Sequence, residues 1–189
     1  GDLVEEMNHV GMLVDATHAD YATSMDILKL SKDPVIFSHS NVAALWNHPR
    51  NLRDDQIQAC AKSGGVLGVA GTGTYIGEND NSPEGLVQHI NYIAKLVGPE
   101  HIGLGLDYVP TFGMANAPAA AGFKHTGHDA GYLQASGGTE PPQREDIKYV
   151  EPEGVPLLTE ALISHGYSAT QIRGILGENW LRVARQVWK

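Results

Sequence analysis

VDATHADYATSMDILKLSKDPVIFSH, residues 14–39, decides the reading of the fold. It joins two short apolar runs, GMLVDATH and PVIFSH, each ending in a histidine, His18 and His39. The runs are continuous rather than alternating and rich in Val, Ile, Leu and Met. That is the pattern of buried parallel strands. Between them, DYATSMDILKLSK spaces Tyr21, Met25 and Leu28 for one face of a helix from about Asp20 to Ser31. Strand, helix, strand, with a histidine at the same point of each strand, sends both imidazoles to the C-terminal rim of a parallel sheet. There they can converge on one metal ion. Spacing alone also permits two ordinary hydrogen-bonded loop histidines.

Outward from this stretch the same unit repeats. Upstream, GDLVEEMNHVG reads as a helix with Leu3, Val4 and Met7 on one face and Gly11 as its C-terminal stop. Downstream, SNVAALWNHPRN is a polar loop or short helix carrying Trp46 and His48. Asp54 is placed to cap a helix whose apolar face holds Ile57, Cys60 and Ala61. GVLGVAG is a third buried strand whose glycines predict close backbone approach. TGTYIGENDNS follows as a loop containing Tyr75. Ser82 and Pro83 start a helix, as cap and first helical residue, with the stripe Leu86, Ile90, Ile93 and Val97. HIGLGLD is a fourth strand with Asp107 at its C-terminal end. From Tyr108 to about Pro152 the pattern dissolves into a Gly-, Ala- and Pro-rich stretch longer than an ordinary connection. Its HTGH pair, His125 and His128, reads as surface histidines. Leu157, Leu158, Ala161 and Leu162 then form a helix stopped at Gly166, and Ser168 caps a short helix. ENWLRVARQVW closes the chain as an amphipathic helix with Trp180, Val183, Ala184 and Val187 inward. Strands alternating with helices predict an α/β protein with a parallel sheet. Polar groups after successive strands mark the rim on which a (β/α)8 barrel builds its active site.

Composition narrows the classes. The 189 residues suffice for one domain with a sizeable core. A net charge of −9 without a basic cluster argues against nucleic acid as a partner. Cys60 is the single cysteine, which excludes an internal disulfide framework and a cysteine-rich zinc site. No run reaches the roughly 18 apolar residues of a membrane span. No charged-then-apolar leader opens the sequence, and RVARQVWK lacks the apolar tail of a lipid-anchor signal. Beginning at Gly1 in mid-helix, the sequence is expected to start part-way through a domain.

Taken together, GMLVDATHAD, PVIFSHSN, HPRN, HIGLGLDY and ILGENWLRV, in this order, resemble the renal (membrane) dipeptidase family of zinc peptidases. The resemblance covers nearly the whole chain apart from residues around 110–148, and corresponds to the C-terminal half of such a protein. It implies a (β/α)8 TIM-type barrel, of which this chain supplies about the last four βα units. Residues 1–189 would be the C-terminal half of one metallo-dipeptidase barrel domain with a long loop at about 109–152. It further implies two zinc ions at the rim. His18 and His39 match the histidines that hold one of them. Arg50, in HPRN, matches an arginine that holds the substrate or its transition state, and Tyr75 matches a substrate-contacting tyrosine. Asp107 takes the place of the aspartate that moves protons at the scissile amide. Where the family reads D-F/Y-D-G, this sequence has Asp107-Tyr108-Val109-Pro110, which bears on substrate preference and loop shape more than on chemistry. The family's H-x-D pair, bridging glutamate and a further histidine have no counterpart here. They are expected from a missing N-terminal half, in cis or from a separate chain.

These expectations define a zinc-dependent hydrolase of dipeptides. Metal ions activate a water and polarise the scissile carbonyl, and Asp107 transfers the proton. Ligand histidines need an outer-shell acceptor on their second nitrogen, and Asp15 and Asp20 lie nearby in sequence. Two alternatives stand beside this. One is a barrel metallohydrolase of non-peptide amides, the other a non-catalytic half-barrel that binds metal or a partner. A homodimer is a candidate assembly, since family members often dimerise. The single cysteine and the lack of a tail signal favour a cytoplasmic setting.

Overall fold

The computed structural model describes residues 1–108 and 147–189. Helix α1 (Asp2–Val10) leads into β1 (Val14–Asp15), α2 (Tyr21–Leu30), β2 (Val35–Ile36), α3 (Asp54–Lys62) and β3 (Leu67–Val69). A short α4 (Gly73–Ile76) precedes α5 (Pro83–Val97) and β4 (Ile102–Leu104). The chain ends in α6 (Val155–Ser164), α7 (Ala169–Arg173) and α8 (Asn179–Val187). His125, His128, Val109 and Pro110, and most of the loop expected at 109–152, lie outside the described residues.

The helix boundaries follow local chemistry. Gly11 ends α1 at φ 73°, in the left-handed region. The Asp20 carboxylate accepts the Thr23 amide at the start of α2, and the Ser82 hydroxyl accepts the Gly85 amide at the start of α5. Asp54, expected as a cap, is instead the first residue of α3. Arg53 takes the cap position, and its amide donates to the Gln56 side chain at 3.0 Å. Asp54 accepts the Tyr92 hydroxyl at 2.9 Å, which draws it off the helix end.

The strands run parallel and in sequence order. Val14 lies opposite Val35, Leu67 lies opposite Ile102, and a parallel bridge between Phe37 and Leu67 joins the two pairs. Four βα units in this order match the sequence reading. The described strands form an open run of four, so the closed barrel is not built from them alone.

Strand alternation sorts the core into two faces. Val35, Phe37, Leu67 and Ile102 pack with Ile57 of α3, Leu86 and Ile90 of α5 and Leu158 and Leu162 of α6. Ile36 and Val66 point the other way and meet Val183 and Val187 of α8. The polar contacts of α8, and of Lys189 just past its end, show where it runs. The Asn179 amide donates to the carbonyls of Pro99 and Ile102, the Arg182 guanidinium to those of Gly64 and Glu100, and the Lys189 ammonium to those of Asn8 and His9. Those carbonyls lie at or before the starts of β4, β3 and β1. The last helix therefore crosses beneath the N-terminal ends of the strands, opposite the rim that carries the histidines.

Several helical faces differ from expectation. In α2 the buried residue is Ser24, while Tyr21 is exposed. The Tyr21 hydroxyl donates to Asp55, and the Arg53 guanidinium lies 4.5 Å from its ring centroid, so an amphipathic ring serves the surface. Leu3 and Leu157 are likewise exposed. The stretch expected to stay unpatterned to Pro152 is docked from Lys148 onward. The Lys148 carbonyl accepts the Gly73 amide, Thr72 bridges Tyr149, and Val150 is buried. Part of the expected loop TGTYIGENDNS is the helix α4. No helix among the described residues is long and apolar enough to cross a membrane.

Candidate active site

His18 and His39 sit just past the ends of β1 and β2, and their Nε2 atoms lie 2.9 Å apart. The rings meet edge to face with centroids 5.0 Å apart. Asp107, past the end of β4, brings its Oδ2 to 4.0 Å from the Nε2 of His39. Three elements far apart in sequence thus deliver two imidazoles and one carboxylate to one place on the rim. Two of the three adopt left-handed backbone without being glycine: His18 at φ 69° and Asp107 at φ 52°. Such conformations cost about 1–2 kcal/mol each and persist where the surroundings over-determine them.

A hydrogen-bond web fixes this corner. Asp15 Oδ1 accepts the amides of Thr17 at 2.9 Å and Ser38 at 3.1 Å, and its Oδ2 accepts the Ser38 hydroxyl at 2.5 Å. Ser38 Oγ lies 2.9 Å from His39 Nδ1. Partial desolvation alone would raise the Asp15 pKa. The hydrogen bonds from Ser38 and Thr17 outweigh it and hold the carboxyl below its ordinary range. Asp20 caps α2 and takes no part in this web. A glycine pair closes over the same spot. A Cβ at Gly68 or at Gly105 would run into the Ser38 carbonyl, so both positions require glycine for backbone approach.

Arg50 and Tyr75 come together in a second group on the loops after β2 and β3. The Arg50 guanidinium stands 5.3 Å from the Tyr75 ring centroid, and the His48 ring lies 4.8 Å from that of Tyr75. Asn51 holds the two loops together by donating to the carbonyls of Trp46 and Tyr75, both at 2.8 Å. Burial, and then the charge of Arg50, push the His48 imidazole down to about 4, so it stays neutral at ordinary pH. Among the described residues, Arg50 Nη2 is a buried donor without a hydrogen-bond partner. It is available to an anionic group entering the cluster.

Sequence reading passed over several residues that shape these groups. Nothing in the sequence singles out Ser38, which bridges Asp15 and His39. Asn41 exchanges two 3.0 Å bonds with the backbone of Ala70 and ties the loop after β2 to the end of β3. His89, on the buried face of α5, accepts the Val42 amide on Nδ1 and donates from Nε2 to the Ile76 carbonyl. The apolar stripe around His89 was the only available signal, since a polar residue buried there must find partners.

The donor set bears on a metal. Two nitrogens that each lie about 2.0–2.1 Å from one zinc can be at most ~4.2 Å apart, and imidazole with carboxylate suits that ion. The 2.9 Å pair satisfies this span. Among the described residues no group of three or more His, Cys, Asp or Glu is placed to share an ion. The pair offers two nitrogen donors at a spacing compatible with one ion, with Asp107 beside them.

Parallel βα units with a histidine pair and a carboxylate on the C-terminal rim define an α/β protein whose rim suits a metal ion. The chain belongs to the membrane dipeptidase family (peptidase family M19), whose model matches residues 1–128. It is 31% identical over 185 residues to dipeptidase verJ of Clonostachys rogersoniana, covering 98% of this chain and 40% of that protein. Among solved structures it is similar to an amidohydrolase from Pseudomonas aeruginosa, with 30% identity, a TM-score of 0.74, and coverage of 99% of this chain and 56% of that one. It shares its fold with a metallopeptidase from Rhodobacter sphaeroides solved with a phosphinate mimic of the dipeptide L-Ala-D-Ala. There the identity is 24%, the TM-score 0.72, and coverage 99% of this chain and 46% of that one. The chain thus spans about half the length, or less, of these relatives. Family members have a TIM-barrel fold, and membership implies a metal cofactor, generally zinc.

Proposed function

We propose that this chain carries the His18, His39 and Asp107 side of a two-zinc site that hydrolyses dipeptides. Residues 1–189 would contribute the C-terminal half of one barrel domain. The observation that carries this reading is the 2.9 Å meeting of two imidazoles with a carboxylate 4.0 Å away. The family membership and the dipeptidase relatives support it. The remaining ligands would come from polypeptide beyond this chain, in cis or from another chain, which fits the half-length coverage and the incomplete donor set among the described residues.

The Nε2 atoms of His18 and His39 would hold one ion. When bound, zinc polarises a carbonyl and brings a water's pKa down toward about 7. Asp107 takes the proton released at its Oδ2 side and passes it to the departing amine. Arg50 offers its unpartnered Nη2 to the substrate carboxylate, and Tyr75, packed beside it, presents an aromatic wall.

The test is zinc content and turnover of the complete protein on a dipeptide panel that includes D-residues on the C-terminal side. His18→Ala should lose bound zinc and hydrolysis together. Asp107→Asn should keep its zinc and lose about 10²–10⁴-fold in kcat. Full turnover in either variant, or a protein that takes up one zinc or none and hydrolyses nothing, overturns the reading; the latter result would leave a non-catalytic binding module. A second reading, hydrolysis of non-peptide amides, is favoured by the amidohydrolase likeness. A parallel panel of such amides separates the two.

A further inference from the structure

We propose that Asp15, acting through Ser38, is the positioning residue that decides which nitrogen of His39 faces the rim. This rests on reading His39 as a metal ligand. Ser38 Oγ lies 2.5 Å from Asp15 Oδ2, 2.9 Å from His39 Nδ1 and 3.3 Å from Thr17 Oγ1. A serine has one hydroxyl proton, and an ionised carboxylate can only accept. The shortest contact therefore takes that proton, because two oxygens 2.5 Å apart need one between them. With its proton committed to Asp15, Ser38 can offer His39 only a lone pair. Nδ1 must then carry the ring proton, and Nε2 is left bare. Nε2 is the atom that meets His18 at 2.9 Å and lies 4.0 Å from Asp107.

The carboxylate is held on both sides. Its other oxygen accepts the amides of Thr17 and Ser38. One of these amides lies in the turn that delivers His18, the other directly before His39, so a single side chain sets the register of both imidazoles. The charge matters more than the shape. An amide at position 15 would turn its oxygen toward the two backbone amides and its NH2 toward Ser38. Ser38 would then donate to His39 Nδ1, and the ring proton would move to Nε2, where it blocks the lone pair a metal needs. Ligand histidines commonly depend on such outer partners, whose loss costs roughly 10–100-fold in metal affinity.

Nitrogen NMR of the metal-free protein with labelled histidine reads the tautomer directly, and His39→Gln identifies the His39 signals. The expected result is an Nδ1–H tautomer for His39, converted to Nε2–H in Asp15→Asn, with zinc affinity weakened roughly 10–100-fold against a competing chelator. Ser38→Ala should weaken zinc to a similar degree, and Ser38→Thr, which keeps the hydroxyl, should restore it. This serine pair carries the test if Asp15→Asn does not fold. An Nε2–H tautomer in the unaltered protein, an unchanged tautomer in Asp15→Asn, or unaltered zinc affinity in Ser38→Ala overturns the proposal. If the unaltered protein binds no zinc, the dipeptidase reading fails, while the tautomer measurement still decides the role of Asp15.

Discussion

His48 shows how one residue couples the rim to pH. Its folded-state pKa sits near 4 against an ordinary 6.5, chiefly because burial disfavours the imidazolium. Between those values the unfolded chain binds a proton that the folded chain does not. The stability is therefore fully present above about 6.5 and drains away as pH falls toward 4. His89, buried and neutral, pulls in the same direction. Thermal melts should fall across this window, and His48→Gln should flatten the slope; an unchanged slope would place the effect elsewhere. Little of this could be read from HPRN. The motif announces a histidine and an arginine, whereas their proximity to Tyr75 depends on a loop some two dozen residues further on. Cys60 was more legible. A small residue on the apolar face of a helical pattern should be buried, and it is fully so, its thiol pushed up to about 12 by burial.

At the scale of elements, the strand-helix alternation could be read because each piece declares itself locally. Apolar runs of strand length, the Ser82-Pro83 start and the Gly11 stop need no tertiary information. Faces were harder. Periodicity gives Tyr21, Met25 and Leu28 one stripe; Leu28 does pack against the core, but Tyr21 is exposed and Ser24 takes the buried place, through a 2.7 Å bond from the buried Gln56 amide. The closing helix is a similar case. Its amphipathic pattern was plain, yet nothing local says that it lies beneath the strands. Asn179 makes that placement by giving both amide protons to carbonyls at the start of β4, and Trp180 adds a bond to the Leu104 carbonyl at 3.2 Å. Asn179→Ala should therefore cost about 1–3 kcal/mol in chemical denaturation, because the buried Ile102 carbonyl and the half-buried Pro99 carbonyl both lose the Asn179 amide. A neutral result would mean that α8 is held by its apolar face alone.

Across the whole molecule, the rim exists because four parallel strands end on the same side while the last helix secures the other. Metal binding should then act on the entire fold, since the proposed ligands, His18 and His39, come from separate βα units. Zinc at about 100 times its dissociation constant should add about 2.7 kcal/mol of stability, visible as a raised melting temperature. His39→Ala should abolish the shift without lowering the metal-free melting point by a comparable amount. A zinc-induced shift that survives in His39→Ala would place the ion elsewhere on the chain.

The sequence by itself determined the alternation of strands and helices, the parallel sheet, and which strand ends bear His18, His39 and Asp107, because hydrophobic period and caps act over a few neighbouring residues. Only the tertiary structure decided that the two imidazoles meet through Nε2, that Asp15 rather than Asp20 stands behind them, and that α8 lies under the strands. Those outcomes depend on side chains brought within 3 Å from segments far apart in the chain, and no local pattern encodes a distance across space.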